Sequence, residues 1–143
     1  MAKSKDVLRR KLIDGLNEDL NLELEAVLRY LYHSSAATGL LGHALRQEIG
    51  PDIQGEMAHA IFLADKIAAL GGKVTINPKM PKAVRTTEQM MKLNIEAEHR
   101  VIANYTDRIQ QAEEYGDKGL VTRHEDIRAE ETDHAESLQR LAR

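Results

Sequence analysis

Four glutamates and two histidines in this chain have the types and the spacing to do chemistry. Glu56 and Glu131 each open the pattern Glu-x-x-His-Ala-x-x-Leu, ending at Leu63 and Leu138, so His59 and His134 lie one helical turn after a carboxylate. Glu23 and Glu98 are each followed seven positions later by a tyrosine, Tyr30 and Tyr105. Glu23 and Glu56 are 33 residues apart, as are Glu98 and Glu131, so the second pair repeats the first at a shift of 75. Two divalent cations would balance the four carboxylates, with neutral His59 and His134 adding one nitrogen ligand to each ion. A carboxylate-rich set with one imidazole per metal suits iron or manganese better than structural zinc, which takes four soft or nitrogen ligands.

A lone Glu-x-x-His in a helix usually marks a solvated face. The third copy here, Glu96 and His99, is assigned to that reading because it falls off the apolar seam. The other two copies are read as ligands because of the repeat and their seam placement, the alternative being a buried polar network without metal. Tyr30 and Tyr105 then stand near the metals, either as core packing bonded to a carboxylate or as redox or proton donors.

Such residues can meet only if long helices carry them, and the apolar spacing predicts four. Helix A, about 6 to 37, has its seam at Leu16, Leu20, Glu23, Val27, Tyr30, Ser34 and Ala37, and Gly39 and Gly42 end it. Helix B, about 43 to 70, runs Ile49, Ile53, Glu56, Ala60, Leu63, Ile67 and Leu70 to a stop at Gly71-Gly72, with Gly50-Pro51 kinking it or delaying its start. Helix C opens at Thr86 with Gln89 as a capping box, passes Met91, Ile95, Glu98, Ile102, Tyr105, Ile109 and Ala112, and closes at Gly116. Helix D carries Leu120, His124, Ile127, Glu131, His134, Leu138 and Leu141. At ~1.5 Å rise per residue, the two glutamates of each hairpin sit nearly level, so four carboxylates should meet at mid-height in the core. Ionised and unpaired there, each would cost several kcal/mol, which calls for neutralising partners. The stretch from Gly72 to Arg85, with Pro78 and Pro81, reads as an extended crossover that makes B and C parallel. His124 reads as a core or pore-side histidine. The expected fold is all-α, an antiparallel four-helix bundle with a long B-C crossover and no fifth helix, in one domain over 1–143.

Composition agrees. The 143 residues hold 9 Gly and 3 Pro, few enough to favour long helices, and only 4 Tyr and 1 Phe as aromatics, which argues against an all-β fold. With no cysteine there is no disulfide framework, thiolate zinc site, iron-sulfur cluster or thiol nucleophile. A net charge of −3 offers no general attraction to nucleic acid or anionic lipid, and the short basic start (Lys3, Lys5, Arg9, Arg10, Lys11) reads as a solvated helix end, so DNA binding is not expected. The longest uncharged run, 16 residues from Tyr30 to Leu45, is too short and too polar for a membrane span, and no apolar signal core opens the chain. A soluble, cytoplasmic protein is expected.

These residues together, Glu23 to Tyr30, Glu56-Met-Ala-His59, Glu98 with Tyr105, and Glu131-Thr-Asp-His134, resemble the ferritin-like superfamily, most closely bacterioferritins and their shorter mini-ferritin (Dps-like) relatives, over nearly the whole chain. The resemblance implies that Glu23 and His59 hold one iron, Glu98 and His134 the other, and that Glu56 and Glu131 bridge them. It implies a ferroxidase that oxidises Fe²⁺ with O₂ or H₂O₂ and stores the ferric product inside a hollow homo-oligomer. Met57 matches the position of the axial haem ligand at the bacterioferritin dimer interface, which leaves two readings open, a haem ligand or plain interface packing beside Ile61 and Ala64. The bacterioferritin fifth helix has no counterpart before Arg143, which favours twelve subunits built from dimers over twenty-four. A di-metal oxygenase or peroxidase acting on a small molecule, or a DNA-protecting stress protein, are the alternatives.

Overall fold

The computed structural model describes residues 4–143 and contains five helices with no strand among them: α1 (Lys5–Ala36), α2 (Gly39–Ile49), α3 (Asp52–Ala69), α4 (Thr87–Tyr115) and α5 (Lys118–Leu141). Their ends are set by local chemistry. Ser4 caps α1 by accepting from the Val7 N–H, and Thr86 and Gln89 close a reciprocal capping box on α4. Gly116 ends α4 at φ 95°, a left-handed conformation that only glycine adopts without strain, and Asp117 then caps α5 through the Leu120 N–H.

Two expectations are corrected. Gly39 and Gly42 do not lie in a loop after the first helix; Gly39 opens α2 and Gly42 is buried inside it. The expected helix B is therefore two helices. Pro51 has no N–H to continue the ladder, so α2 stops at Ile49 and α3 restarts at Asp52. Two seam positions also shift by one residue: along α1 Ala26 and His33 are buried rather than Val27 and Ser34, on either side of Tyr30. The two lines share Leu16, Leu20, Glu23, Tyr30 and Ala37 and differ only in whether the three- or the four-residue step comes first, which the packing of the neighbouring helices decides.

Contacts at the helix ends fix the directions. Lys5 Nζ donates to the Tyr115 carbonyl and Arg9 Nη1 to the Leu70 carbonyl at 3.0 Å, which sets the start of α1 against the ends of α4 and α3. Lys66 pairs with Asp117, placing the end of α3 beside the start of α5. The stretch between α3 and α4 lies along α1. Asn17 Nδ2 donates to the Lys73 carbonyl, Asn21 Nδ2 to the Thr75 carbonyl, and Glu25 Oε2 accepts from the Lys79 N–H. Apolar packing fills the bundle on both sides of its middle. Leu12, Leu16, Leu63, Ile67 and Leu120 pack at one end, and Leu45, Ile49, Met90, Met91 and Leu138 at the other. A layer of polar side chains separates these two plugs.

Candidate metal centre

Each long helix delivers one glutamate to that layer: Glu23 from α1, Glu56 from α3, Glu98 from α4 and Glu131 from α5, all at most 1% exposed. His59 and His134, one turn after Glu56 and Glu131, face the same space. Donor atoms of Glu23, Glu56, His59 and Glu131 lie within 4.8 Å of one another, and so do those of Glu56, Glu98, Glu131 and His134. The two groups share Glu56 and Glu131. His59 Nδ1 lies 3.3 Å from Glu131 Oε1 and 3.5 Å from Glu23 Oε2; His134 Nδ1 lies 3.5 Å from both Glu56 Oε1 and Glu131 Oε2.

What the inward atoms lack is decisive. Glu23 Oε2, Glu56 Oε1, His59 Nδ1, Glu98 Oε2, both Glu131 oxygens and His134 Nδ1 are buried without a hydrogen-bond partner, though buried polar atoms are nearly always paired. The outward atoms of the same side chains are held. Tyr105 OH donates to Glu23 Oε1 and Tyr30 OH to Glu98 Oε1, so each tyrosine serves the glutamate of the opposite helix rather than that of its own. His59 Nε2 lies 2.8 Å from Glu130 Oε2, and His134 Nε2 lies 3.4 Å from Asp52 Oδ2. A carboxylate on the outer nitrogen fixes the ring and turns the Nδ1 lone pair inward, the usual support for a metal-ligating histidine. Such a donor set, hard oxygens with two imidazoles, fits two divalent cations of the iron or manganese kind.

The crowding of these groups shifts their proton affinities. Burial, together with the neighbouring Glu56, pushes the Glu23 carboxyl well above its ordinary range. Burial and the adjacent Glu131 push Glu98 up to about 10. Burial alone would lower His59, but the surrounding Glu131, Glu23 and Glu56 outweigh it and raise the imidazole. The Glu131 and Glu56 carboxylates raise His134 to about 11. Burial would raise Glu56 as well, yet its contacts with Glu23, His134 and His59 hold it below the usual carboxylate range. Burial and mutual proximity thus drive Glu23, Glu98, His59 and His134 toward their protonated forms, the direction in which protons stand in for cations.

Glu96 and His99 are exposed, and His99 Nε2 contacts Gln139 at 2.9 Å, away from the centre. Met57 lies on the outer face of α3, 39% exposed. His124 is fully buried but two turns from Glu131, beside Asp19 and Tyr105. Sequence reasoning missed Glu130 and Asp52, although Asp52 stands one turn before Glu56. It also missed two buried polar pairs next to the centre, Asp19 with Arg108 and Asn94 with His33. The shift of 75 maps Asp19 onto Asn94 and His33 onto Arg108, so the repeat itself marks all four positions.

Comparison with known proteins accords with this geometry. A ferritin-like diiron-carboxylate protein from Bacillus anthracis str. Ames is 34% identical, with 95% of this chain and 98% of that chain covered at a TM-score of 0.91. The bacterioferritin of Desulfovibrio desulfuricans is 26% identical, covering 99% of this chain and 83% of its own at a TM-score of 0.84. Dps from Thermosynechococcus elongatus, 17% identical over 99% of this chain and 96% of its own, shares the fold at a TM-score of 0.91. No curated protein matches. The family model described as "Ferritin-like domain" matches residues 13–143, and the chain belongs to that family.

Proposed function

We propose that this protein is a ferroxidase that stores and detoxifies iron, taking up Fe²⁺ in pairs and oxidising it with O₂ or H₂O₂. The reading is carried by the seven unpartnered donor atoms that converge between two apolar plugs, each on a side chain of Glu23, Glu56, His59, Glu98, Glu131 or His134. Glu23 and His59 hold one Fe²⁺, Glu98 and His134 hold the other, and Glu56 and Glu131 reach both. Two Fe²⁺ side by side supply the two electrons that take O₂ to peroxide or peroxide to water. Tyr105 and Tyr30 orient Glu23 and Glu98, Glu130 and Asp52 orient the two imidazoles, and the apolar plugs bound the site at either end.

The setting of this chemistry is one ferritin-like domain over 1–143, an antiparallel bundle with a long crossover between α3 and α4, in a cytoplasmic homo-oligomer built from dimers whose hollow interior takes the ferric product. The Met57 thioether is accessible only from outside the bundle, so a haem on it would sit between two copies. The diiron-carboxylate relative and the bacterioferritin support this assignment. Adding Fe²⁺ anaerobically and then admitting O₂ or H₂O₂ tests it. Rapid oxidation of two Fe²⁺ per chain, with retention of further iron in a large particle on size exclusion, is expected. A small oligomer that oxidises two equivalents and retains no more would instead indicate a di-metal oxygenase or peroxidase.

A further inference from the structure

The repeat makes the two halves of the centre alike, and one feature breaks the likeness. Arg108 on α4 grips Asp19 on α1 with two bonds, Nε to Oδ2 at 2.9 Å and Nη2 to Oδ1 at 3.2 Å, and its Nη1 donates to Gln111 Oε1 at 2.6 Å. His124 on α5 lies 3.4 Å from Asp19 Oδ2 through Nε2, without a hydrogen bond. Its ring meets the Tyr105 ring edge to face at 5.0 Å between centroids. In the other half the shift of 75 places neutral Asn94 and His33, joined by one 2.9 Å bond, with Arg29 Nε donating to Asn94 Oδ1 at 2.8 Å, and at the position of His124 it places Ile49. Among the described residues, that half holds no buried ion pair beside its tyrosine.

A buried ion pair is poor evidence for stability, because removing two charges from water costs several kcal/mol. This pair even requires a vacancy in α1: a Cβ on Gly15 would stand 1.7 Å from Arg108 Nη1. What a bidentate pair supplies is fixed geometry. Asp19 precedes Glu23 by one turn of α1, and Arg108 comes three residues after Tyr105 on α4. Asp19–Arg108 and Glu23–Tyr105 are therefore neighbouring rungs between the same two helices, and locking one sets the spacing and rotation at the next. His124 packs on the Tyr105 ring from the third helix.

We propose that Asp19, Arg108 and His124 are positioning residues that act through Tyr105 to hold Glu23 in its ligand geometry, one half of the centre being locked by a bidentate buried ion pair where the other has only single bonds to Asn94. The proposal rests on the di-metal reading, and Co²⁺, titrated anaerobically and monitored by its visible absorption, separates the two. Wild-type protein should take up two Co²⁺ per chain. Asp19→Leu with Arg108→Leu removes both charges and strands neither; it should weaken one Co²⁺ by about tenfold or more, leave the other unchanged, and barely move the metal-free melting temperature. His124→Gln, a milder change for use if the pair variant does not fold, should weaken the same ion. In Tyr105→Phe protein the further loss of the pair should have no effect on Co²⁺ binding. Equal weakening of both ions, no weakening, or losses that add to that of Tyr105→Phe would each overturn the brace. A wild-type protein that takes up no Co²⁺ would remove the di-metal reading and the brace with it.

Discussion

Tyr30 on Glu98 and Tyr105 on Glu23 show how far spacing alone reaches at the scale of single residues. The six candidate ligands are legible in the chain because they recur at a fixed shift on a helical face, and the structure gathers all six. Their partners are not legible, because a hydrogen bond between helices depends on rotation and level that no local pattern encodes. Glu130 and Asp52 are acids beside known acids, with nothing in their own spacing to separate them from solvated ones. The raised proton affinities of Glu23, Glu98, His59 and His134 give two expectations. Loading two divalent ions should release about four protons near neutral pH, measurable by calorimetry in buffers of different ionisation enthalpy. Stability should depend on pH as well. Glu98 holds its proton up to about 10 and His134 up to about 11, so the folded state binds more protons than the unfolded state from mildly acidic pH up to that range. Metal-free protein should therefore melt progressively lower as pH rises from 6 to 9, the stabilisation by bound protons being complete only in acid. Mn²⁺ should raise the melting temperature by several degrees, more so at higher pH, and Glu98→Gln should blunt the rise. A metal-free protein that gains stability over that range would contradict the proton occupancy. On activity, Glu56→Ala or Glu131→Ala should abolish rapid Fe²⁺ oxidation, Glu130→Gln should weaken metal affinity by ~10- to 100-fold, and Glu96→Ala should change neither.

At the scale of elements, caps and stops were more legible than the path between them. Thr86 with Gln89, Gly116 and Gly71 each carry a local signal, and each sits at a helix end in the structure. The break at Gly50-Pro51 was visible as a kink, but not that Gly39 and Gly42 would begin a helix rather than end one. Glycine after a helix permits a turn without dictating the next element, and the packing of Leu45 and Ile49 into the core decides it. The one-residue shifts along α1, Ala26 for Val27 and His33 for Ser34, have the same origin, since the packing of neighbouring helices decides which of two adjacent positions turns inward. Gly15 provides a test at this scale. Replacing a helical glycine by alanine normally stabilises by about 1 kcal/mol. Here the added Cβ would overlap the Arg108 guanidinium, so Gly15→Ala should lower the melting temperature, whereas Gly15→Ala combined with both Asp19→Leu and Arg108→Leu, which removes the guanidinium without stranding the buried carboxylate, should recover it. Stabilisation by the single substitution would mean that Arg108 lies elsewhere.

For the whole molecule the informative surface is the one the bundle leaves uncovered. Leu31 on α1 is 59% exposed, and Met57 and Ile61 on α3 are 39% and 56% exposed, although the seam of each helix is already closed inside. Large exposed apolar side chains on one pair of helices point to an interaction surface. A second copy is the simplest occupant, because a two-fold contact sets the same surface against itself. Ile61→Glu would then place two like charges across the axis, and analytical ultracentrifugation should show it shifting the protein to smaller species. The metal-free melting of a single bundle should change little, since Ile61 lies outside its core. Met57→Leu keeps the apolar volume and should leave assembly intact, while removing any Soret band that the purified or haem-supplemented protein displays, because only the thioether can ligate iron there. Intact assembly with Ile61→Glu would place the dimer contact on another face. Colourless wild-type protein that takes up no added haem would leave Met57 as interface packing, with Fe²⁺ oxidation at the buried centre unaffected by the result.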